Sequence, residues 1–70
     1  MSLREEYNIQ ARIELLTEII HIEKLNGAEN GKSFAMRSHL FRQKDQFIEA
    51  ADDLESAAMY KIYEFSSISH

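Results

Sequence analysis

Apolar residues recur at helical spacing along most of this chain. In the first third, Ile9, Ile13, Leu16 and Ile20 follow one another at intervals of four, three and four. That is the repeat of one helix face, and strict alternation never persists for more than a few positions. It outweighs the β-branched character of Ile9, Ile13, Ile19, Ile20 and Ile22, which taken alone favours strand. In the second half Met36, Leu40, Phe47, Ala51, Leu54, Ala58 and Phe65 fall within about 60° of one another at ~100° per residue. Two helices are therefore predicted. Ser2 and Glu5 have the spacing of a capping box, so the first helix begins at Leu3. It meets no breaker before Leu25, after which Asn26-Gly27 supplies the left-handed residue that ends helices. Segment 26–33 holds both glycines of the chain and is the only stretch with turn chemistry. Ser33 is the expected N-cap of the second helix, which finds no stop signal before Ser66 and Ser67. The expected fold is all-α: an antiparallel two-helix hairpin with a helix over 3–25, a turn over 26–33 and a long helix over 34–65. It forms one domain over residues 1–70, with 66–70 as a frayed tail.

Each helix also carries a second apolar stripe. Ala11, Leu15 and Ile22 lie roughly 100° to 140° from the first stripe on helix one, and Phe34, Phe41, Ile48 and Met59 do so on helix two. A lone hairpin covers one stripe per helix, which leaves the other as a contiguous apolar patch, the mark of an interaction surface. The plainest use for it is the core of a homodimer, as in four-helix bundles built from two hairpins. Antiparallel pairing with Leu25 beside Phe34 also brings Glu23 near Arg37, Glu18 near Arg42 and Arg4 near Glu55, with matching signs. By the same register the end of helix two overhangs helix one and carries Tyr60, Ile62, Tyr63 and Phe65. The expected oligomer or partner interface is thus Leu15, Ile22, Phe34, Phe41, Ile48, Met59, Tyr60, Ile62, Tyr63 and Phe65.

Composition sharpens the need for a partner. A 70-residue chain buries little of its own surface, and small scaffolds usually add a staple. There is no cysteine, and the three histidines are scattered at His21, His39 and His70. Disulfides and thiolate metal sites are thereby removed, a structural zinc is not expected, and oligomerisation is left as the source of extra burial. No apolar run approaches the roughly 20 residues of a membrane span. The opening Met-Ser-Leu-Arg-Glu-Glu reads as neither a signal nor a transit peptide, so the expected location is cytoplasmic. A net charge of -4 argues mildly against bulk nucleic-acid binding, though a local patch can defeat that average.

Three groups of residues are candidates for chemistry. Gly27 to Ser33 resembles a phosphate-binding P-loop in its Gly-Lys-Ser ending before a helix. It has three residues between the glycines where the motif needs four, and it follows a helix where the motif needs a strand. Glu18 and His21 have the Glu-x-x-His spacing of di-iron carboxylate bundles, yet both point away from the core stripe and no second carboxylate is expected beside them. Lys32, Arg37, His39, Arg42 and Lys44 gather cations in the first half of helix two, against the helix dipole. Glu14, Glu18 and Glu23 of helix one offset them in the plainer reading; in the sharper one Lys32, Arg37, Arg42 and Lys44 bind an anion. No catalytic constellation and no cofactor motif stands out. The hairpin architecture is similar to RNA-binding helical hairpins of the Rop type, and Phe47 to Asp52 resembles a short stretch of the Hha-type nucleoid modulators. Neither resemblance extends over enough of the chain to place it in a family, and helix one carries only Arg4, Arg12 and Lys24 amid five glutamates. The expectation is a non-enzymatic regulatory protein without a cofactor, partnered with itself and with another protein. The alternative is a nucleic-acid or nucleotide binder.

Overall fold

The computed structural model describes the backbone of residues 2–68 and the side chains of residues 2–61. The chain forms three helices, α1 (Leu3–Leu25), α2 (Gly31–Gln43) and α3 (Phe47–Ile68), with no strand among the described residues. The first helix has the bounds its sequence signals require. Ser2 Oγ accepts the Glu5 amide at 3.2 Å, and Gly27 takes a φ of 66° just past the helix end. The Ala28 amide donates to the Glu23 carbonyl at 2.8 Å and the Gly27 amide to that of Lys24 at 3.3 Å. Together they make the Schellman pair of bonds that closes a helix at a left-handed residue.

The long helix expected over 34–65 is corrected at both ends and in the middle. It starts at Gly31 because Asn30, not Ser33, is the N-cap: Asn30 Oδ1 accepts the Lys32 amide at 3.0 Å. It stops at Gln43 because the chain repeats the closure of α1. The Gln46 amide donates to the Phe41 carbonyl at 2.9 Å and the Asp45 amide to that of Arg42 at 3.0 Å, with Asp45 at a φ of 59°. Aspartate is one of the few residues other than glycine that enters this region at modest cost, which is why the stop lacks an obvious signature. The last helix extends to Ile68, past the expected end at Phe65. Residues 69 and 70 lie outside the described residues.

The middle helix is the keystone of the packing. Its neighbours α1 and α3 both lie against it, α1 through Glu23 at Ser33, Thr17 at Arg37 and Gln10 at Lys44, α3 through Ala57 at Gly31 and Ala50 at Ser38, and they do not pack on each other among the described residues. The radius of gyration is 13.5 Å, against about 11 Å for a compact domain of this length. The core is correspondingly small. Ile13 and Leu16 of α1 meet Leu40 of α2, flanked by Ile9 and Phe41. The stripe read for helix one is thus the buried one, with Ile9 and Ile20 at its half-buried ends.

The stripe read for helix two is not. Of its described members only Leu40 is buried, while Met36, Phe47, Ala51, Leu54 and Ala58 are exposed. The turn at Asp45 rotates α3 so that Ala50, Asp53, Ala57 and Tyr60 face α2 instead. Small residues let the two backbones approach: a Cβ added at Gly31 would lie 2.9 Å from the Ala57 carbonyl oxygen, and Ser38 Oγ donates to the Ala50 carbonyl at 2.9 Å. The expected charge register is also replaced. Glu23 accepts from Ser33 Oγ at 2.8 Å and Asn30 Nδ2 at 2.6 Å, so it is not the partner of Arg37. Glu18–Arg42 does not form because α2 sits on α1 in a register that sets Arg37 against Thr17 and Lys44 against Gln10, and Arg4–Glu55 does not form because α3 is carried away from α1; the one ion pair among the described residues is Arg37 with Asp53.

Candidate functional site

A polar clasp holds the three helices in place. Arg37 of α2 donates through Nε to Asp53 Oδ2 at 2.8 Å and through Nη2 to Asp53 Oδ1 at 2.7 Å, a bidentate pair with α3. Its Nη1 reaches Thr17 Oγ1 of α1 at 3.2 Å. The guanidinium lies 5.7 Å from the Phe34 ring centre and 5.8 Å from that of Phe41. Both distances fall within cation–π range. The Asp53 hydrogen bond, aided by the carboxylate's charge and opposed by burial, holds the guanidinium above its ordinary pKa. Phe34 in turn stacks on Tyr60 at 5.6 Å with planes 13° apart. The Tyr60 hydroxyl donates to Glu29, which raises the phenol's pKa above its usual value.

Around this clasp the surface is unusually apolar. Eleven large hydrophobic side chains stand exposed among the described residues, against four buried apolar ones. The imbalance matters because large contiguous apolar patches are rare on monomers and mark interaction surfaces. Two concentrations stand out. Leu15, Ile19, Met36 and Leu40 line a groove of about 630 Å³ between α1 and α2, bordered by Arg12 and His39. On α3, Phe47, Ala51, Leu54 and Ala58 form a ridge with intervals of four, three and four, beside the more exposed Ile48.

The residues read as an interface divide between these settings. Leu15, Ile22, Ile48 and Met59 are exposed, by 52 to 76%. Phe34, Phe41 and Tyr60 are half-buried and spend their rings within the chain, on Arg37, on each other or on the core. Ile62, Tyr63 and Phe65 lie outside the described side chains. Sequence reasoning missed the ridge as a surface, having assigned Phe47 and Leu54 to the core, and read Asp53 only as one of several acids in the second half of helix two, not as the partner of Arg37. The signal for Asp53 was an acid among alanines in phase with Ala50 and Ala57.

The basic residues are not gathered into one site. Arg37 is committed to Asp53 and Thr17, and Lys44 Nζ donates to Gln10 across to α1. Lys32 and Arg42 are exposed and ten residues apart on α2, about 15 Å along the axis. In the P-loop-like turn Ser33 faces Glu23, a carboxylate where a phosphate would need donors. Glu18 and His21 are both exposed, and no group of three or more His, Asp or Glu among the described residues is placed to hold a metal. No described helix is long and apolar enough to cross a membrane.

No protein-family model matches this chain, and neither does any curated protein or solved structure.

Proposed function

We propose that this chain is a non-enzymatic interaction protein that assembles with itself and modulates another protein by binding it. The observation that supports the reading is the excess of exposed over buried large hydrophobics. A helix face that repeats Phe47, Leu54 and their small neighbours at helical spacing is the kind of surface that lies in the groove of another helical protein. The same excess argues for assembly, because a core of Ile13, Leu16 and Leu40 is slender support for a whole chain.

Light scattering at micromolar concentration tests the reading directly. It expects a mass of at least twice the 8.2 kDa of one chain and a melting temperature that rises with concentration. A monomer that melts at one temperature over a hundredfold dilution refutes self-assembly. The alternative of a phosphate or nucleic-acid binder has less support, because Arg37 and Lys44 already have partners within the chain. It expects saturable binding that weakens steeply with salt. Titration of RNA, DNA and nucleotides at low salt separates the two.

A further inference from the structure

The groove and the ridge are complementary, and each chain has one of each. We propose that a second copy of this chain occupies the groove: the α3 ridge of each protomer seats between α1 and α2 of its partner, reciprocally, about a two-fold axis. This rests on the self-assembly reading above and says which surfaces meet.

Shape supports the pairing first. Phe47, Ala51, Leu54 and Ala58 recur at the intervals of a helix that anchors in an apolar groove, and Leu15, Ile19 and Met36 wall such a groove above the buried Leu40. A chain cannot satisfy its own groove, because the turn at Asp45 and the Arg37–Asp53 pair fix α3 on the other flank of α2. Charge then selects among the ways two copies could meet. The groove is bordered by Arg12 and His39 with no carboxylate in its lining, and Lys32 lies one helical turn before Met36. Glu55 borders the ridge and Asp52 lies beside Ile48 on the outer face of α3; no cation occurs between Phe47 and Tyr60, and Lys61 follows one turn after Ala58. Ridge against ridge would set those acids face to face, whereas ridge in groove opposes acid to base. Opposite potentials across an interface fix register and exclude wrong pairings. Two-fold symmetry doubles the contact, since each protomer gives a ridge and receives one.

The test exchanges the charges while leaving the apolar residues in place. One variant, Arg12→Glu with His39→Glu, makes the groove acidic; the other, Asp52→Lys with Glu55→Lys, makes the ridge basic. All four side chains are exposed. Analytical ultracentrifugation of each variant alone should show the dimer weakened at least about tenfold in Kd, since like charges now meet. Mixed in equal amounts, the two should form a heterodimer within about threefold of the wild-type Kd, because both contacts regain opposite signs. If a weakened variant also loses helicity, mixing should restore it, so a folding defect does not mask the result. Wild-type dimers that neither variant disturbs, or variants that mixing fails to rescue, overturn the ridge-in-groove pairing and leave self-assembly standing. A wild-type monomer overturns both.

Discussion

The Arg37–Asp53 clasp sets a value on the fold that can be measured. Asp53→Ala removes the carboxylate and strands a guanidinium whose remaining company is Thr17 and two aromatic rings. Breaking a fully buried pair costs about 3–5 kcal/mol, and exposed pairs are worth ~0–1 kcal/mol. Here the side chains retain 18% exposure for Arg37 and 6% for Asp53. The guanidinium thus keeps some water, and the expected cost falls to about 2–3 kcal/mol. A chain of this length has ~4–10 kcal/mol in all, so the loss is a large share. Urea unfolding followed by far-ultraviolet circular dichroism at one fixed protein concentration reads it as a shifted midpoint with an unchanged slope. Adding Arg37→Met removes the stranded charge, so the double variant should be more stable than Asp53→Ala alone. The pH dependence has a definite sign. Asp53 raises the Arg37 pKa in the folded chain, so the contribution is fully present below the unfolded value and is lost only as pH rises through the higher folded one. That window is strongly alkaline. A cost below about 0.5 kcal/mol for Asp53→Ala, or a double variant as weak as the sum of the singles, refutes the clasp.

Further predictions concern the turns, the close contact and Tyr60. Gly31→Ala should destabilise by about 1–3 kcal/mol in urea, because the new Cβ meets a backbone oxygen at 2.9 Å. Helix propensity alone predicts the opposite sign, a gain of ~1 kcal/mol, which would refute close α2–α3 packing. Asp45→Gly should raise stability by up to about 1 kcal/mol and Gly27→Ala should lower it by ~1–2 kcal/mol, each read from the urea midpoint, since both sites need positive φ. Equal, small effects of either sign would mean that the left-handed turns do not persist in solution. In an ultraviolet titration the Tyr60 phenol should ionise above pH 10, raised by Glu29, and Glu29→Gln should bring it down. Its contribution to stability is present below the unfolded pKa and fades as pH rises through the folded one. Tyr60→Phe should delete that late step, and an unchanged titration curve would rule the contact out.

The first helix was legible because its ends use the strongest local signals, a serine cap and a glycine at C′. The break between α2 and α3 was not, and the physics is instructive. Asp45 does the work of Gly27 without its composition, and the phase of Met36, Leu40, Phe47, Ala51, Leu54 and Ala58 runs straight through the turn. Periodicity reports which residues would share a face if the helix continued, and nothing in it detects a local stop. The docking face of α3 was missed for a related reason. Counting bulky apolar residues favours Phe47 and Leu54 as the inner face, yet Gly31 and Ser38 on α2 make a shallow seat that admits Ala50 and Ala57. The paired charges Arg37 and Asp53 decide the rotation.

That rotation links the clasp to the surface. An unbroken second helix would set Leu40, Phe47 and Leu54 on one line, all turned toward the side that α1 covers. With the turn in place, α2 keeps Leu40 beneath α1 while α3 carries Phe47 and Leu54 into the open. The bare ridge is therefore a consequence of three residues, Lys44 to Gln46, and of the ion pair that holds α3 where the turn sends it. Stability of the protomer and presentation of the ridge depend on the same contact. Under the ridge-in-groove pairing, Asp53→Ala should weaken self-association as well as folding, although Asp53 is itself buried and touches no partner. Leu54→Ala should do the reverse: at 50% exposure it should cost the isolated protomer less than about 1 kcal/mol while weakening the dimer. Measuring the dimer Kd and the urea midpoint for both variants distinguishes a ridge that is merely exposed from one held out for a partner.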